Sequence, residues 1–173
     1  MYKLFILLFF ALSVTLASSG QSVMQIHFAK KVLQAFKAKD FNSYKSVAIN
    51  KKDLEEILTD GRLHGKIPRQ DDYNIALTKF DEKADSSYKA EFNRIFKKGE
   101  QLGIEWKNVV LTDFVLKAQK AVNAFKTSIT GHLNFICKGK NYVLFGIEAI
   151  ELTSGLKLSS IRTVQEMRLE GVR

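Results

Sequence analysis

The spacing of apolar residues changes period once along this chain, near residue 105, and that change narrows the folds open to it. Before it, apolar residues recur every three or four positions. Phe28, Ala29, Val32, Ala35 and Phe36 form one stripe, with Lys30, Lys31, Gln34 and Lys37 between them, as on an amphipathic helix. After it, they alternate. Over residues 125 to 138, Phe125, Ile129, Leu133, Phe135 and Cys137 fall on one side of an extended chain, and Lys126, Ser128, Thr130, His132 and Asn134 on the other. Helices gathered first and strands second do not supply the strand–helix–strand units of a parallel sheet. The pattern predicts an α+β domain with N-terminal helices packed on one face of a curved, four-stranded antiparallel meander.

The elements follow from the same spacing. A helix is predicted over 22 to 39, a short one carries Phe41, Tyr44 and Val47, and Asn50 caps another through Leu54, Ile57 and Leu58 that Gly61 stops. Gly61, Gly65 and Pro68 place a loop at 60 to 70. Tyr73, Leu77, Phe80, Ala84, Tyr88, Phe92, Ile95 and Leu102 then share one helical face, with a break expected near Asp85 to Ser87, whose side chains compete for backbone hydrogen bonds. Strands are predicted at 105 to 116, 125 to 138, 141 to 152 and 156 to 164, with a linker from Lys117 to Ala124 and turns at Gly139 and Thr153–Ser154–Gly155.

The chain opens differently. Lys3 precedes an uncharged run, Leu4 to Ala17, and Ser18, Ser19, Gly20, Gln21 and Ser22 break it. A basic start, an apolar stretch too short for a permanent span and a small-residue exit read as a secretory signal peptide over residues 1–19, cleaved after Ala17 or Ser19. Residues 20–173 are then a single domain, exported to the periplasm or secreted, with no stable membrane insertion after cleavage. The sole cysteine, Cys137, has no partner in the chain and sits in an apolar strand pattern, which predicts a buried thiol.

The chain carries 27 Lys plus Arg against 18 Asp plus Glu, a net +9. Lysine outnumbers arginine by 21 to 6, and doublets such as Lys30–Lys31, Lys51–Lys52 and Lys97–Lys98 are dispersed among acids. Nucleic-acid sites favour the planar arginine fork, so no nucleic-acid partner is expected. The lysines read mainly as a solvated surface, with attraction to anionic polymers as a lesser reading.

Strand register points to one polar cluster. If Gly139–Lys140 is a two-residue loop, Phe135 opposes Leu144, Leu133 opposes Gly146 and Gly131 opposes Glu148. If Thr153–Ser154–Gly155 is a three-residue loop, Glu148 opposes Ser160 and Gly146 opposes Arg162. Glu148, Ser160 and Arg162 would then sit on the apolar face beside Gly131 and Gly146, where the sheet bends. Such a cluster is either a polar anchor in an apolar ligand pocket or a partly wet patch of paired side chains.

Other chemistry finds no support in the sequence. His27, His64 and His132 lack partners at metal-ligand spacing, no serine sits in a nucleophile-elbow pattern, and no glycine-rich phosphate loop occurs, so neither a catalytic residue, a metal nor a cofactor is implied.

The order of elements resembles the cystatin-like architecture shared with the nuclear-transport-factor-two-like superfamily. The stretch Leu102–Gly103–Ile104–Glu105–Trp106, followed by strands ending in Leu156 to Val164, is similar to small exported bacterial members that mostly lack an assigned activity. The resemblance spans roughly residues 22 to 164 and implies a ligand site between sheet and helices, toward which Glu148 would point. The inhibitor signature Gln-x-Val-x-Gly is not met, since Gln21 and Val23 are followed by Gln25.

The resulting expectation is an exported, non-enzymatic binding domain, monomer or homodimer, whose cleft takes a small apolar ligand or a protein partner through Glu148, Ser160 and Arg162. Two alternatives accompany it. One is an enzyme of the same fold with Glu148 as general base and Arg162 as a stabiliser of negative charge, although a neighbouring guanidinium lowers a carboxylate's basicity. The other is a basic binder of anionic envelope polymers.

Overall fold

The computed structural model describes residues 22–63, 65, 69–119 and 127–167, and the signal-peptide reading, Phe125 and most of the expected 117–124 linker lie outside them. Helix α1 (Val23–Ala38) begins where Ser22 Oγ accepts from the Gln25 amide and Gln25 Oε1 accepts from the Ser22 amide, at 3.2 and 3.3 Å. That reciprocal cap makes Ser22 to Gln25 the start of a helix. Helix α2 (Phe41–Val47) is capped by Asp40, whose Oδ1 accepts from the Asn42 amide at 2.9 Å. Asn50 and Asp53 cap α3 (Lys51–Leu63) in the same reciprocal way, at 3.1 and 3.0 Å.

Two expectations about helix ends are corrected. Gly61 does not stop α3, which continues to Leu63; an interior glycine costs about 1 kcal/mol relative to alanine, too little to end a helix that is capped and packed. Helix α4 (Gln70–Gln101) runs unbroken through Asp85–Ser87. Ser86 Oγ bonds the Lys83 carbonyl at 2.9 Å and Asp85 pairs with Lys45 at 2.6 Å, so their polar groups find partners compatible with the helix.

The region expected to open a strand at 105 starts instead with a 3₁₀ turn, Trp106–Asn108. Trp106 is drawn inward: its Nε1 donates to the Phe96 carbonyl at 3.0 Å, and its ring lies against Gly99. A row of rings then runs from helices to sheet. Phe36 stacks on Phe92 at 5.1 Å and on Trp106 at 5.0 Å, Trp106 on Phe135 at 5.8 Å, and Phe135 on Tyr142 at 5.7 Å. Cys137 is buried and unpaired, as expected.

The four strands β1 (Val110–Gln119), β2 (Ser128–Cys137), β3 (Lys140–Leu152) and β4 (Gly155–Glu166) form one antiparallel sheet in the order β1-β2-β3-β4. Lys117, expected in a linker, belongs to β1. Leu133, Phe135, Leu144, Ile147, Leu158, Ile161 and Val164 are fully buried against the helices, which covers one sheet face and bears out the α+β architecture.

Register differs from the expected one in three places. The β2–β3 loop is Lys138–Gly139, both at positive φ, so Leu133 opposes Leu144 and Phe135 opposes Tyr142. Paired positive φ values suit the right-handed strand twist, and glycine takes the second of the two positions. The β3–β4 loop holds two residues, Thr153 and Ser154, with Leu152 opposite Gly155.

Bulges supply the third difference. Gly146, at φ 67°, is an extra residue on β3 relative to β2, so Leu144 and Ile147 both point inward although three positions apart. Ser159 is an extra residue on β4, which restores Glu148 opposite Ser160. Each insertion flips every side chain beyond it. Glu148 and Arg162 are therefore exposed on the sheet face away from the helices, and the expectation that they share the apolar face is corrected. The two glycines do mark close approaches: a Cβ on Gly131 would stand 1.8 Å from the Val115 carbonyl oxygen, and one on Gly146 would stand 2.6 Å from the Arg162 Cβ.

A Cβ on Gly99 would fall 2.2 Å from Trp106 Cζ2. Gly99→Ala is expected to lower stability by about 1–3 kcal/mol through displacement of that ring. Denaturant midpoints measure the loss. Emission from Trp106, the single tryptophan, should change in the folded variant; a native-like spectrum and midpoint would contradict this packing.

Candidate functional site

Glu148, Ser160 and Arg162 do come together. Ser160 Oγ donates to Glu148 Oε2 at 3.2 Å, and the three line an open hollow of ≈ 520 Å³ with Thr130, Phe145, Glu91 and Arg94. Among the described residues no ion pair joins Glu148 to Arg162. The hollow is not the expected cleft beneath the helices. It lies where α4 reaches the β4 edge, and the ring row from Phe36 to Tyr142 packs the space between helices and sheet.

Much of the polarity around this hollow closes a sheet edge. Glu91 Oε2 accepts from the Ile161 amide at 3.1 Å, while Arg94 Nη2 and Nη1 donate to the Ile161 and Arg162 carbonyls at 2.8 and 2.6 Å. The buried Tyr44 hydroxyl donates to Glu91 Oε1. One residue pair on α4 thus supplies β4 with the partners a fifth strand would have given, and the glutamate also ties α2 into the same joint.

A second polar group holds the β3–β4 turn. Asp53 is buried, accepts from Ser154 Oγ at 3.1 Å and faces Lys157 Nζ at 3.4 Å. Glu56 Oε1 accepts from the Thr153 amide and hydroxyl, both at 3.0 Å. The ≈ 870 Å³ hollow beside them has these carboxylates already engaged in positioning the turn. Among the described residues, no group of three or more His, Cys, Asp or Glu is placed to hold a metal ion.

The third concavity has a different character. Where α1 runs beside the start of β1, a groove of ≈ 480 Å³ is lined by His27, Lys30, Lys31, Gln34 and Lys37 above Leu33, Val109, Val110 and Leu111. Leu33 and Val109 are buried and form its floor, whereas Val110 is 62% exposed on its wall. Among the described residues, no acid lines it and none of Lys30, Lys31 and Lys37 has an ion-pair partner. Lys37 also borders a neighbouring hollow with Lys39, Lys107 and Lys138. Two of those cations are engaged: Lys138 pairs with Glu105, whose carboxyl this bond holds below its usual range, and Lys39 Nζ lies 4.8 Å from the Phe96 ring.

Reading the α1 lysines as a solvated helix face placed them correctly on the helix but missed the wall opposite. One signal was available. Residues 22–39 contain no Asp or Glu, although the chain as a whole carries 18, so this helix face has a single charge sign. Comparisons with protein-family models, curated proteins and solved structures find no match.

Glu91→Ala removes the acceptor of both Tyr44 and Ile161. A loss of about 1.5–3 kcal/mol is expected, with faster hydrogen exchange at the Ile161 amide; unchanged exchange would contradict the edge closure. Burial, and then the Glu91 charge, raise the Tyr44 and Tyr88 phenols, Tyr88 to about 12 from 10.0. The folded state therefore keeps protons that the unfolded state releases. The stability these phenols contribute is complete below pH 10 and declines as the pH rises above it, the share from Tyr88 being lost through about 12. An alkaline melting series with phenolate absorbance should show that loss, reduced in Tyr44→Phe.

Proposed function

We propose that this protein is an exported, non-enzymatic binding domain that recognises an acidic, partly apolar segment of a protein partner through the groove between α1 and β1. The carrying observation is the groove's composition: lysines and a histidine stand over an apolar floor, with no acid among the described lining residues. Apolar burial supplies affinity there, and the rim selects negative charge and speeds encounter. Export rests on the Leu4–Ala17 run and its small-residue exit. Helices followed by a four-stranded meander accord with the cystatin-like likeness, and the groove replaces the interior cleft as the site that likeness implies.

An acid/base role for Glu148 has less support. Its carboxylate is exposed and hydrogen-bonded to Ser160 in an open hollow, with no enclosed space that would hold a substrate against it and shut water out. A general affinity for anionic polymers is separable from groove recognition by position.

A capped peptide of alternating Val and Glu, about ten residues long to match a strand, serves as the probe. Reversing charge at Lys30, Lys31 and Lys37 together should weaken its binding about tenfold or more in fluorescence anisotropy. The same reversals at Lys79, Lys83 and Lys89, exposed on α4, should cost much less. Equal losses from both triple variants would mean diffuse charge attraction and overturn the groove.

A further inference from the structure

The two outer strands of the sheet are treated differently. β4 is closed along its free side: the Ile49 amide donates to the Leu158 carbonyl at 3.0 Å, Ala48 bridges to Leu158, and Glu91 and Arg94 take the backbone groups of Ile161 and Arg162. Lys98 Nζ bonds Thr163 Oγ1 at 2.7 Å further along the same edge. Among the described residues, β1 pairs only with β2. Among the described residues, none plays the part of Glu91 or Arg94 for Val110, Leu111, Thr112 and Asp113. These residues begin the strand, and the first two line the cationic groove.

An open strand edge is a template for another extended chain, and proteins commonly block such edges. Here one edge is blocked and the other adjoins a groove with unpaired cations. We infer that the partner segment binds as a fifth strand on the free edge of β1, alongside α1 with its outer edge open to solvent, with apolar side chains toward Leu33 and Val109 and acidic ones toward Lys30, Lys31 and Lys37. Side chains of an extended chain alternate in direction, so such an occupant alternates apolar and acidic residues. A second copy of this chain is a poor occupant. Two β1 edges paired about a twofold axis would bring two lysine rims together.

This inference rests on the proposed groove reading and sharpens it, and the two fail separately. Three forms of the Val/Glu peptide are compared by anisotropy: the parent, one N-methylated on one alternate set of amides, and one N-methylated on the other set. An added strand uses one set toward β1 and leaves the other toward solvent. One methylated form should therefore lose binding by at least about tenfold while the other keeps it. Hydrogen exchange of the full chain should show protection among the amides of Val110 to Asp113 on binding of the parent peptide. Equal binding by all three forms, or equal loss from both methylated forms, overturns strand addition. Binding that is equal across the three peptides yet lost with the Lys30, Lys31 and Lys37 reversals keeps the groove and rejects the strand. Equally tight binding by polyglutamate of the same charge rejects strand addition in favour of charge alone, and no binding by any peptide at millimolar concentration overturns both.

Discussion

The stack from Phe36 through Trp106 and Phe135 to Tyr142 is the interaction that the remaining structure is arranged around. It joins α1, the 3₁₀ turn, β2 and β3, and Phe92 brings α4 into the same contact. Each ring pair contributes about 0.5–1.5 kcal/mol beyond the area it buries, and burial itself contributes more. Its geometry has consequences at a distance. Trp106 reaches the row because Gly99 has no side chain, and the 3₁₀ turn that carries Trp106 sets where β1 begins beside α1. The groove is a by-product of that placement.

Bulges then divide the sheet into stretches with different facing. A strand bent over a helical layer must shed or gain a residue somewhere, and Gly146 accepts the left-handed backbone that such an insertion requires. Glu148 lies just beyond it and turns to solvent with Ser160. The polar cluster is real as a set of neighbours, yet it sits on the opposite side of the sheet from an interior ligand site. Its surroundings, Glu91 and Arg94, serve the backbone of β4.

The asymmetry of the two edges connects stability to recognition. At β4 a carboxylate and a guanidinium satisfy main-chain groups that would otherwise face solvent or another chain. That joint stabilises the fold and leaves no room for an added strand. At β1 the corresponding space is lined by lysines and an apolar floor, the features on which the proposed recognition rests. Single-sign charge along α1 weakens the helix slightly by self-repulsion, a cost that packing of Phe28, Val32 and Phe36 offsets.

What the residues alone settled was local and periodic. The stripe of α1, the alternation of Ile129, Leu133 and Phe135, the buried state of Cys137 and the succession of helices before strands were all legible, because each depends on neighbours within a turn or a pleat. The acid-free stretch from 22 to 39 was equally visible, although its meaning was not. Only the tertiary structure decided which way Glu148 faces, that α4 runs unbroken past Ser86, and that Lys30 and Lys37 look across at Val110. A single inserted residue reverses facing without disturbing the hydrophobic count, and the wall opposite a helix is contributed by residues some eighty positions away. Both outcomes are fixed by how whole layers fit together, a constraint that spacing along the chain does not contain.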